Sequence, residues 1–427
     1  MFETFRNALK IPDLRKKMLY TLLVIIAFRI GAAIPVPFLD LAKLKTVMQG
    51  SSNTLMGLLD TLTGGALSRA TLFAMSVTPY INASIIIQLL AVAIPPLERL
   101  MKEGEVGRRK VAQITRYTTL GLGLLQGIAY YFYLRTSGVL VYDSGFAGVW
   151  AAIVIVASFT AGATLMMWLG ERINDNGVGN GISILLFAGI ISRGPAIVGT
   201  MQRYWTLGGK YYVLVPVVAI LCIVVIAAIV FMNAAERRIP VQYAKRVVGR
   251  KMYGGQSTFI PIKVIMSGVM PIIFAVSIVS LPQMITMWTP PNSWWYKFYT
   301  TWLSSTSAIY AISYFILIIL FNFFYVSIQY NPHEMANNLK KNNGGIPGIR
   351  PGKPTSDYIQ RCLSRISFIG AIFLGIVAIA PIILATTAGM DISLGGTTLL
   401  IIVGVALDTA KQLESQMMMR HYKGFLE

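Results

Sequence analysis

Ten apolar stretches occupy most of this chain, and each is about the length that a helix needs to cross a lipid bilayer. Backbone groups inside hydrocarbon must find hydrogen-bond partners within their own segment, which favours helices. The stretches lie at 18–38, 71–94, 116–134, 148–169, 182–201, 212–233, 264–288, 305–328, 366–385 and 395–410. Because 55% of the residues are hydrophobic and only 13% are charged, lipid rather than water is the expected surrounding. The sequence therefore predicts an all-α membrane protein with ten transmembrane helices.

The basic residues are concentrated on alternate connections between these stretches. Of the 37 Lys and Arg residues, 28 lie in the two tails or in the connections that follow the second, fourth, sixth and eighth stretches, if Arg116 at the very start of the third stretch is included. Lys and Arg beside a span resist translocation, and an even number of crossings puts both termini on one side. We therefore expect the tails and these connections to be cytoplasmic. Nucleic-acid binding, the alternative explanation of a net charge of +20, fits less well with charge that is divided among several loops.

The ionisable residues give little support to ion-coupled transport or to catalysis. Intramembrane carboxylates usually mark proton and ion paths, and none of the 17 Asp and Glu residues falls at the centre of a predicted span. Nucleophilic catalysis needs a base beside the nucleophile, and both histidines lie in cytoplasmic segments. The sequence contains no zinc-binding or nucleotide-binding motif. We predict no catalytic residue, no metal site and no cofactor, so the driving force must come from outside the chain.

The second and seventh stretches share a short motif. Residues 79–83 read PYINA and residues 271–275 read PIIFA, so both follow the pattern P-x-I-x-A. In a ten-span chain these are equivalent spans of two five-span halves, and an odd number of spans per half makes the halves inverted. The expected halves are 1–201 and 202–427, with a site at their interface. The alternative is that proline is simply frequent in membrane helices.

A short apolar segment at about 54–67 precedes the second stretch and contains a glycine pair, Gly64 and Gly65. The segment is too short to cross a bilayer, and its length is typical of a re-entrant or interfacial element. Hinged at the two glycines, such an element could fill a cavity and swing aside. An amphipathic helix lying on the outer surface is the alternative interpretation.

Two of the basic connections, 234–263 and 329–365, are longer than compact connections need to be. The second contains the turn-rich string GGIPGIRPG at 344–352, which would present Arg350 at a protruding tip. Charged loops are often only solvated. Two long turn-rich loops on one face nevertheless predict a docking platform for a large anionic or acidic partner.

Several longer strings resemble the SecY family, the central subunits of the bacterial protein-translocation channel. The resemblance covers essentially the whole chain. The strings are FRIG at 28–31 with IPVP at 34–37, GGALSR at 64–69, PYINASIIIQLL at 79–90, EGEVGRRK at 103–110, GNGIS at 179–183, YAKR at 243–246 and PGIRPG at 347–352. This resemblance implies two inverted five-helix halves around a central pore. It also implies a channel that passes unfolded secretory polypeptides across the plasma membrane and releases apolar segments laterally into lipid.

The resemblance also assigns roles to individual residues. It implies a pore ring made of Val77, Ile81, Leu186, Ile273 and Ile401. Val77 and Leu186 depart from an all-isoleucine ring but remain aliphatic. The segment at 54–67 matches the family's plug, with Gly64 and Gly65 as its hinge. A lateral gate would lie at the seam between spans two and three and spans seven and eight, and would include Gln88, Ser277 and Leu281.

The expected partners follow from the same resemblance. Two small membrane subunits, SecE and SecG, are implied, together with the SecA motor, the ribosome and polypeptides that carry a signal sequence. Anionic lipids are expected beside the basic face. The residues predicted to dock the cytoplasmic partners are Arg108, Arg109, Lys245, Arg246, Arg250, Lys251 and Arg350. The expected location is the bacterial plasma membrane, with both termini in the cytoplasm.

Overall fold

The computed structural model describes residues 2–49, 60, 63–243, 246–248, 251–253, 257–286, 289, 293–304, 307–388 and 396–423. In chain order the helices are α1 (Phe2–Lys10), α2 (Pro12–Gly31), α3 (Leu41–Gln49), α4 (Thr78–Ala93), α5 (Pro95–Lys102), α6 (Glu105–Thr136), α7 (Gly145–Asn176), α8 (Gly181–Ser192), α9 (Gly194–Leu207), α10 (Tyr211–Ala234), α11 (Met270–Thr286), α12 (Trp294–Trp302), α13 (Ala308–Gln329), α14 (Pro332–Lys341), α15 (Lys353–Ala388) and α16 (Gly396–Lys423). The protein is therefore predominantly helical, as the sequence predicts.

Each of the ten apolar stretches contains a helix within these described residues. The stretches correspond, in order, to α2, α4, α6, α7, α8 with α9, α10, α11, α13, α15 and α16. By length and hydropathy alone, five helical segments of the described chain are able to cross a membrane, and α4 with α5, bent by 109°, forms a sixth candidate. The second and seventh stretches contain shorter helices because their first residues are not helical: α4 begins only at Thr78 and α11 only at Met270.

The connection at 234–263, predicted from its sequence as a long, turn-rich basic loop, contains β-strands that the sequence interpretation did not identify. The strands are β1 (Glu236–Tyr243), β2 (Arg246–Val248), β3 (Lys251–Tyr253), β4 (Ser257–Lys263) and, further along the chain, β5 (Gly344–Gly345). They form a three-stranded sheet in the order β4-β1-β5 and a separate β2-β3 hairpin. All the pairings are antiparallel, and Ile239 lies opposite Ile260.

The sheet forms because one face of β1 is apolar. Ile239 and Val241 alternate with exposed neighbours along the strand, which is the period of two expected of a half-buried strand. Both pack with Ile262, with Ile346 beyond β5 and with Ile359 of α15 in one hydrophobic cluster. The two long basic connections are therefore joined in a single packed unit on the side predicted to be cytoplasmic.

The interior is divided among several hydrophobic clusters, and two of them share the partly buried side chains of Ile81 and Val269. One consists chiefly of residues from α11, α13, α15 and α16, but it also contains Ile85 of α4. The other consists chiefly of residues from α2, α7 and α8, but it also contains Ile401 and Val405 of α16. Each cluster thus includes a side chain from the other predicted half. The two halves are therefore in direct apolar contact.

Candidate functional site

The two P-x-I-x-A motifs mark the beginnings of helices. Pro79 is in the first turn of α4, and Pro271 is the second residue of α11. Proline is well tolerated there because the first amides of a helix have no intrahelical acceptor. Immediately before each motif the backbone is irregular, at 63–77 and at 264–269. We call these the first and second irregular segments.

The first irregular segment is bound by hydrogen bonds from neighbouring elements. The Tyr130 hydroxyl of α6 donates to the Leu67 carbonyl at 2.7 Å. The amide of Leu72 donates to the Ile34 carbonyl at 2.9 Å, and a β-bridge pairs Pro35 with Thr71. Irregular backbone is tolerated at membrane depth only where protein or water satisfies its polar groups. These contacts provide partners for the backbone of the first irregular segment.

The second irregular segment is bound in a similar way. The amide of Val264 donates to the carbonyl of Ala235 at 3.0 Å. Ser267 Oγ donates to Oδ1 of Asn322 in α13 at 2.5 Å, and Asn322 Nδ2 donates to the Ser367 carbonyl of α15 at 2.9 Å. Asn322 is almost completely buried, so its side chain joins three elements across the interior.

The five side chains of the predicted pore ring lie in one hydrophobic cluster. Val77, Leu186 and Ile401 are among its buried members, and Ile81 and Ile273 are partly buried against it. They come from four helical elements and the residue before α4, so distant parts of the chain are brought together. None of these aliphatic side chains offers a hydrogen bond. The five side chains thus belong to one apolar cluster where the starts of α4 and α11 meet α8 and α16, and their role as a pore ring stays a prediction.

A cavity of about 420 Å³ borders this cluster. Leu186, Ile273 and Ile401 are in its wall, and so is the second irregular segment. The rest of the wall is more polar and includes Asn180, Ser183, Lys263, Asp408, Lys411 and Gln412. These polar residues lie at the ends of spans predicted to face the cytoplasm. The site is thus a polar cavity that ends at an aliphatic cluster.

Basic groups are prominent in the cavity wall. Lys411 and Lys263 both line it, and the Lys411 ammonium donates to the Asn233 carbonyl at 3.4 Å. Asp408, one helical turn before Lys411, supplies a carboxylate. Such charged groups favour hydration of the cavity, whereas the aliphatic ring offers water no partner.

The predicted plug lies largely outside the described residues, which include Asp60 and residues 63–67 of the 54–67 segment. Both hinge glycines are described, and both have positive φ angles, +70° at Gly64 and +83° at Gly65. L side chains rarely adopt this conformation, so the glycines permit a turn that most residues would strain. The role of the two glycines as a hinge and the motion of the segment stay predictions.

Two charged residues at this turn were missed as site residues by the sequence interpretation. Asp60 is only 6% exposed, and its carboxylate pairs with the guanidinium of Arg193 between α8 and α9. The sequence did contain a signal for this pair, because Asp60 is an acidic residue inside an apolar segment and Arg193 is an arginine inside the fifth apolar stretch. Their sequence separation of 133 residues concealed the pairing. Arg29, the basic residue inside the first stretch, donates to Ser192 Oγ at 2.8 Å.

The residues predicted for the lateral gate lie on α4 and α11, which contact each other. Gln88 of α4 is half-buried, and its side-chain amide donates to Ser84 Oγ at 3.2 Å. On α11, Ser277 is buried and Leu281 is exposed. The seam is apolar: Ile81, Ile85 and Leu89 of α4 recur every four residues and pack against the cluster that contains α11. Gln88 and the two α11 residues lie on this pair of helices.

The structure describes five of the seven predicted docking residues. Arg108 and Arg109 are exposed at the start of α6, and Arg109 pairs with Glu105 at 3.2 Å. Arg350 is exposed in the turn after β5, as its glycine- and proline-rich surroundings predict. Arg246 and Lys251 lie in β2 and β3, whereas Lys245 and Arg250 fall outside the described residues.

Comparison with known proteins gives a consistent result. The family model described as SecY matches residues 71–410. The protein translocase subunit SecY of Streptomyces galbus is 42% identical over 440 residues, covering 100% of both chains.

Solved structures share the fold at lower identity. One described as a protein conducting channel has a TM-score of 0.64 at 18% identity and covers 96% of both chains. Sec61 in a canine ribosome-channel complex from the endoplasmic reticulum has a TM-score of 0.60 at 17% identity, again over 96% of both chains. On the extent of the family match and on the identity to a full-length relative, this chain belongs to the SecY family.

Proposed function

We propose that this chain is a protein-conducting channel of the bacterial plasma membrane. It passes unfolded secretory polypeptides across the membrane and releases apolar segments sideways into lipid. The observation that carries this proposal is the gathering of Val77, Ile81, Leu186, Ile273 and Ile401 into one aliphatic cluster at the end of a polar cavity. The halves of the channel are 1–201 and 202–427, and both termini lie in the cytoplasm.

The chemistry of the constriction suits a passage for many different polypeptides. An aliphatic ring makes no hydrogen bonds, so it holds no particular side chain of a passing chain. Hydrated ions meet a narrow apolar zone from which water withdraws, and such zones gate channels. The ring therefore combines tolerance of polypeptide sequence with resistance to ions. The cavity wall, with Lys263 and Asp408, provides a hydrated approach from the cytoplasm.

The seam between α4 and α11 supports a lateral exit. It is packed by Ile81, Ile85 and Leu89, and neither α4 nor α11 contains an Asp, Glu, Lys or Arg residue, so separation of the two helices exposes mainly apolar surface. A Leu, Ile, Val or Phe residue gains about 0.3 to 0.6 kcal/mol on entering the bilayer centre. An apolar segment held in the pore can thus leave by partitioning. Gln88, Ser277 and Leu281 belong to this gate.

The driving force comes from cytoplasmic partners, so the chain itself acts as a channel rather than an enzyme. The exposed Arg350 turn and the basic start of α6 form a docking surface for the SecA motor and for the ribosome. The similarity of this fold to a channel solved in complex with a ribosome supports the ribosome as a partner. SecE and SecG complete the assembly, and anionic lipids neutralise the basic face.

A site-specific crosslinking experiment tests the proposal. A photoreactive amino acid replaces Ile81, and the channel is reconstituted with its motor and with a secretory polypeptide stalled by a folded domain. We expect strong crosslinks to the stalled chain, because Ile81 lies in the constriction. The control position is Ile223, which is 66% exposed on α10 and faces lipid in this proposal. Equal crosslinking at the two positions would contradict a central path.

The same membranes test the docking surface. Arg350→Glu reverses one exposed charge and leaves the constriction untouched, so motor-driven transport should fall while previously stalled chains still crosslink at Ile81. Lys297→Glu, in the connection predicted to face outward, is the charge-matched control. Transport by Arg350→Glu at the wild-type rate would remove this residue from the docking surface.

A further inference from the structure

Asp60 is a buried acidic residue within the predicted plug segment, three residues before the described turn begins at residue 63. It is 6% exposed, and its partner Arg193 has a side chain that is 25% exposed. Asp60 Oδ2 pairs with Nη1 of Arg193, and Oδ1 accepts the Ser68 amide at 2.7 Å. Both carboxylate oxygens are therefore engaged, one by the turn that follows and one by another part of the fold.

The backbone of Asp60 organises the glycine turn. Its carbonyl accepts the Gly65 amide at 2.8 Å and the Thr63 hydroxyl at 3.0 Å. The side chain binds Ser68 on the far side of the same turn. Asp60 consequently links the turn internally while its second oxygen ties the turn to Arg193. A displacement of this turn must break the ion pair or carry Arg193 with it.

The receiving surface is the end of α8. A Cβ at Gly64 would lie 2.7 Å from the Gly189 carbonyl and 2.8 Å from Ser192 Oγ, so the turn sits closely against that helix end. Ser192 Oγ donates to the Gly189 carbonyl at 2.6 Å and accepts from Arg29. Arginines at a helix C-terminus are favourably placed, since the free carbonyls there carry partial negative charge. The end of α8 against which the turn packs is thus held by contacts that do not involve Asp60.

The charges explain why the Asp60–Arg193 pair stabilises the position in which the glycine turn packs against α8. Arg193 and Arg29 meet the same end of α8, and Asp60 is the carboxylate that the described structure places against Arg193. If one partner of a buried ion pair is removed, the other is left buried and uncompensated, which is strongly unfavourable. Neutralising either residue should therefore weaken the seated turn more than breaking an exposed pair.

We propose that the Asp60–Arg193 pair is a latch that holds the end of the plug against α8 and sets how easily a signal sequence opens the channel. The proposal rests on the proposed function, and it adds two positioning residues that determine specificity. Loss of the latch should increase the export of substrates with weak signal sequences most, because the binding of a weak signal sequence contributes the least free energy to opening the channel.

A labelling assay tests the latch without any transported substrate. In a chain with Cys222 and Cys362 replaced by Ala, Leu67→Cys places a thiol at a buried position beside the turn. Asp60→Asn and Arg193→Gln should each raise the rate of labelling by a water-soluble maleimide by about tenfold, as a shift of one decade in the opening equilibrium would. The double variant should label no faster than either single one, since the two residues act as a pair and the double variant leaves no uncompensated charge.

The matched control is the Arg135–Asp143 pair, which joins the ends of α6 and the following connection at 2.9 Å and is 49% and 64% exposed. Asp143→Asn should leave labelling unchanged, because exposed pairs contribute little. Wild-type labelling rates in both Asp60→Asn and Arg193→Gln would overturn the latch. Additive effects in the double variant would overturn it as well, because they would show independent structural roles.

Export of a substrate with a defective signal sequence provides the second measurement. Asp60→Asn and Arg193→Gln should increase its export relative to a substrate with an intact signal, and Asp143→Asn should not. An unchanged ratio would remove the specificity role of the latch. If the wild-type channel transported no polypeptide at all, the proposed function would fail, while the labelling assay would still decide whether the pair holds the turn.

Discussion

The first and second irregular segments are alike in construction and differ in what surrounds them. Each leads into a P-x-I-x-A helix start, and each is fixed by a buried polar side chain from the next long helix, Tyr130 of α6 or Asn322 of α13. Each also runs against a glycine of the long helix after that one. Gly162 of α7 faces the Leu72 carbonyl, and Gly370 of α15 faces the Val264 carbonyl.

The similarity extends to the order of the spans. The segments belong to the second and seventh stretches, the polar side chains to the third and eighth, and the glycines to the fourth and ninth. If the chain consists of two inverted halves, as the sequence predicts, these are equivalent spans, and the two segments should lie on opposite sides of the membrane. The duplication that the sequence suggests through five residues is thus supported by two further pairs of equivalent contacts.

The difference lies in what each segment encloses. The first segment is tied to residues 34–36 and, through its glycine turn, to the end of α8. The second lines the polar cavity. Similar irregular backbone therefore occurs twice, once where a glycine turn packs against the end of α8 and once in the wall of the polar cavity. The aliphatic cluster includes residues of both segments, Val77 of the first and Val269 of the second.

The two glycines provide the strongest way to break this comparison. A Cβ on Gly162 would lie 1.8 Å from the Leu72 carbonyl oxygen, and one on Gly370 would lie 2.5 Å from that of Val264. Overpacking of this kind lowers the free energy of unfolding by about 1 to 3 kcal/mol or more. We expect Gly162→Ala to lower the thermal unfolding midpoint of the purified protein more than Gly370→Ala does.

Gly121→Ala is the control for both glycines, because a Cβ there meets nothing within 4 Å. It should unfold at or above the wild-type temperature, since alanine favours helix more than glycine does. If Gly162→Ala and Gly370→Ala had the same thermal unfolding midpoint as this control, the close approach of the irregular segments to their neighbouring helices would be disproved.

The polar side chains should show a smaller effect. Asn322→Leu removes the acceptor of Ser267 and the donor to Ser367, whereas Tyr130→Phe removes a single donor. A net hydrogen bond contributes about 1 kcal/mol, and a buried group left without a partner costs about 1 to 3 kcal/mol. Asn322→Leu should therefore lower the unfolding midpoint further than Tyr130→Phe.

Tyr117→Phe tests whether the lower unfolding midpoint of Tyr130→Phe is due to the lost hydrogen bond to Leu67. It makes the same chemical change on the same helix, but its side chain is 77% exposed. We expect no shift in its unfolding midpoint. A shift equal to that of Tyr130→Phe would mean that the bond to Leu67 does not fix the first irregular segment.

Much of the architecture could be predicted because lipid imposes simple rules. Long apolar runs must be helices, so each predicted stretch contains one. The boundaries at Thr78 and Met270 could not be predicted, since residues 71–77 and 264–269 are nearly as apolar as the helices that follow. Their irregular backbone depends on partners such as Tyr130 and Asn322, which are distant in sequence.

The strands and the buried ion pair were missed for related reasons. Ile239 and Val241 alternate over too short a distance to stand out among the basic residues of their loop, although the period is visible once the strand is known. The pairing of Asp60 with Arg193 depends entirely on tertiary structure. The grouping of the five ring residues was implied by family resemblance, and hydropathy alone did not distinguish them from other buried aliphatic residues.

Ion conductance across a planar bilayer tests the central role of the aliphatic constriction most directly. Ile81→Ser with Ile273→Ser adds hydroxyl groups to the ring, and we expect the resting conductance to rise by at least about tenfold, corresponding to a barrier lowered by about 1.4 kcal/mol. Ile223→Ser on exposed α10 should leave it unchanged. A double variant that conducts ions no better than the wild type would show that these side chains do not form the seal.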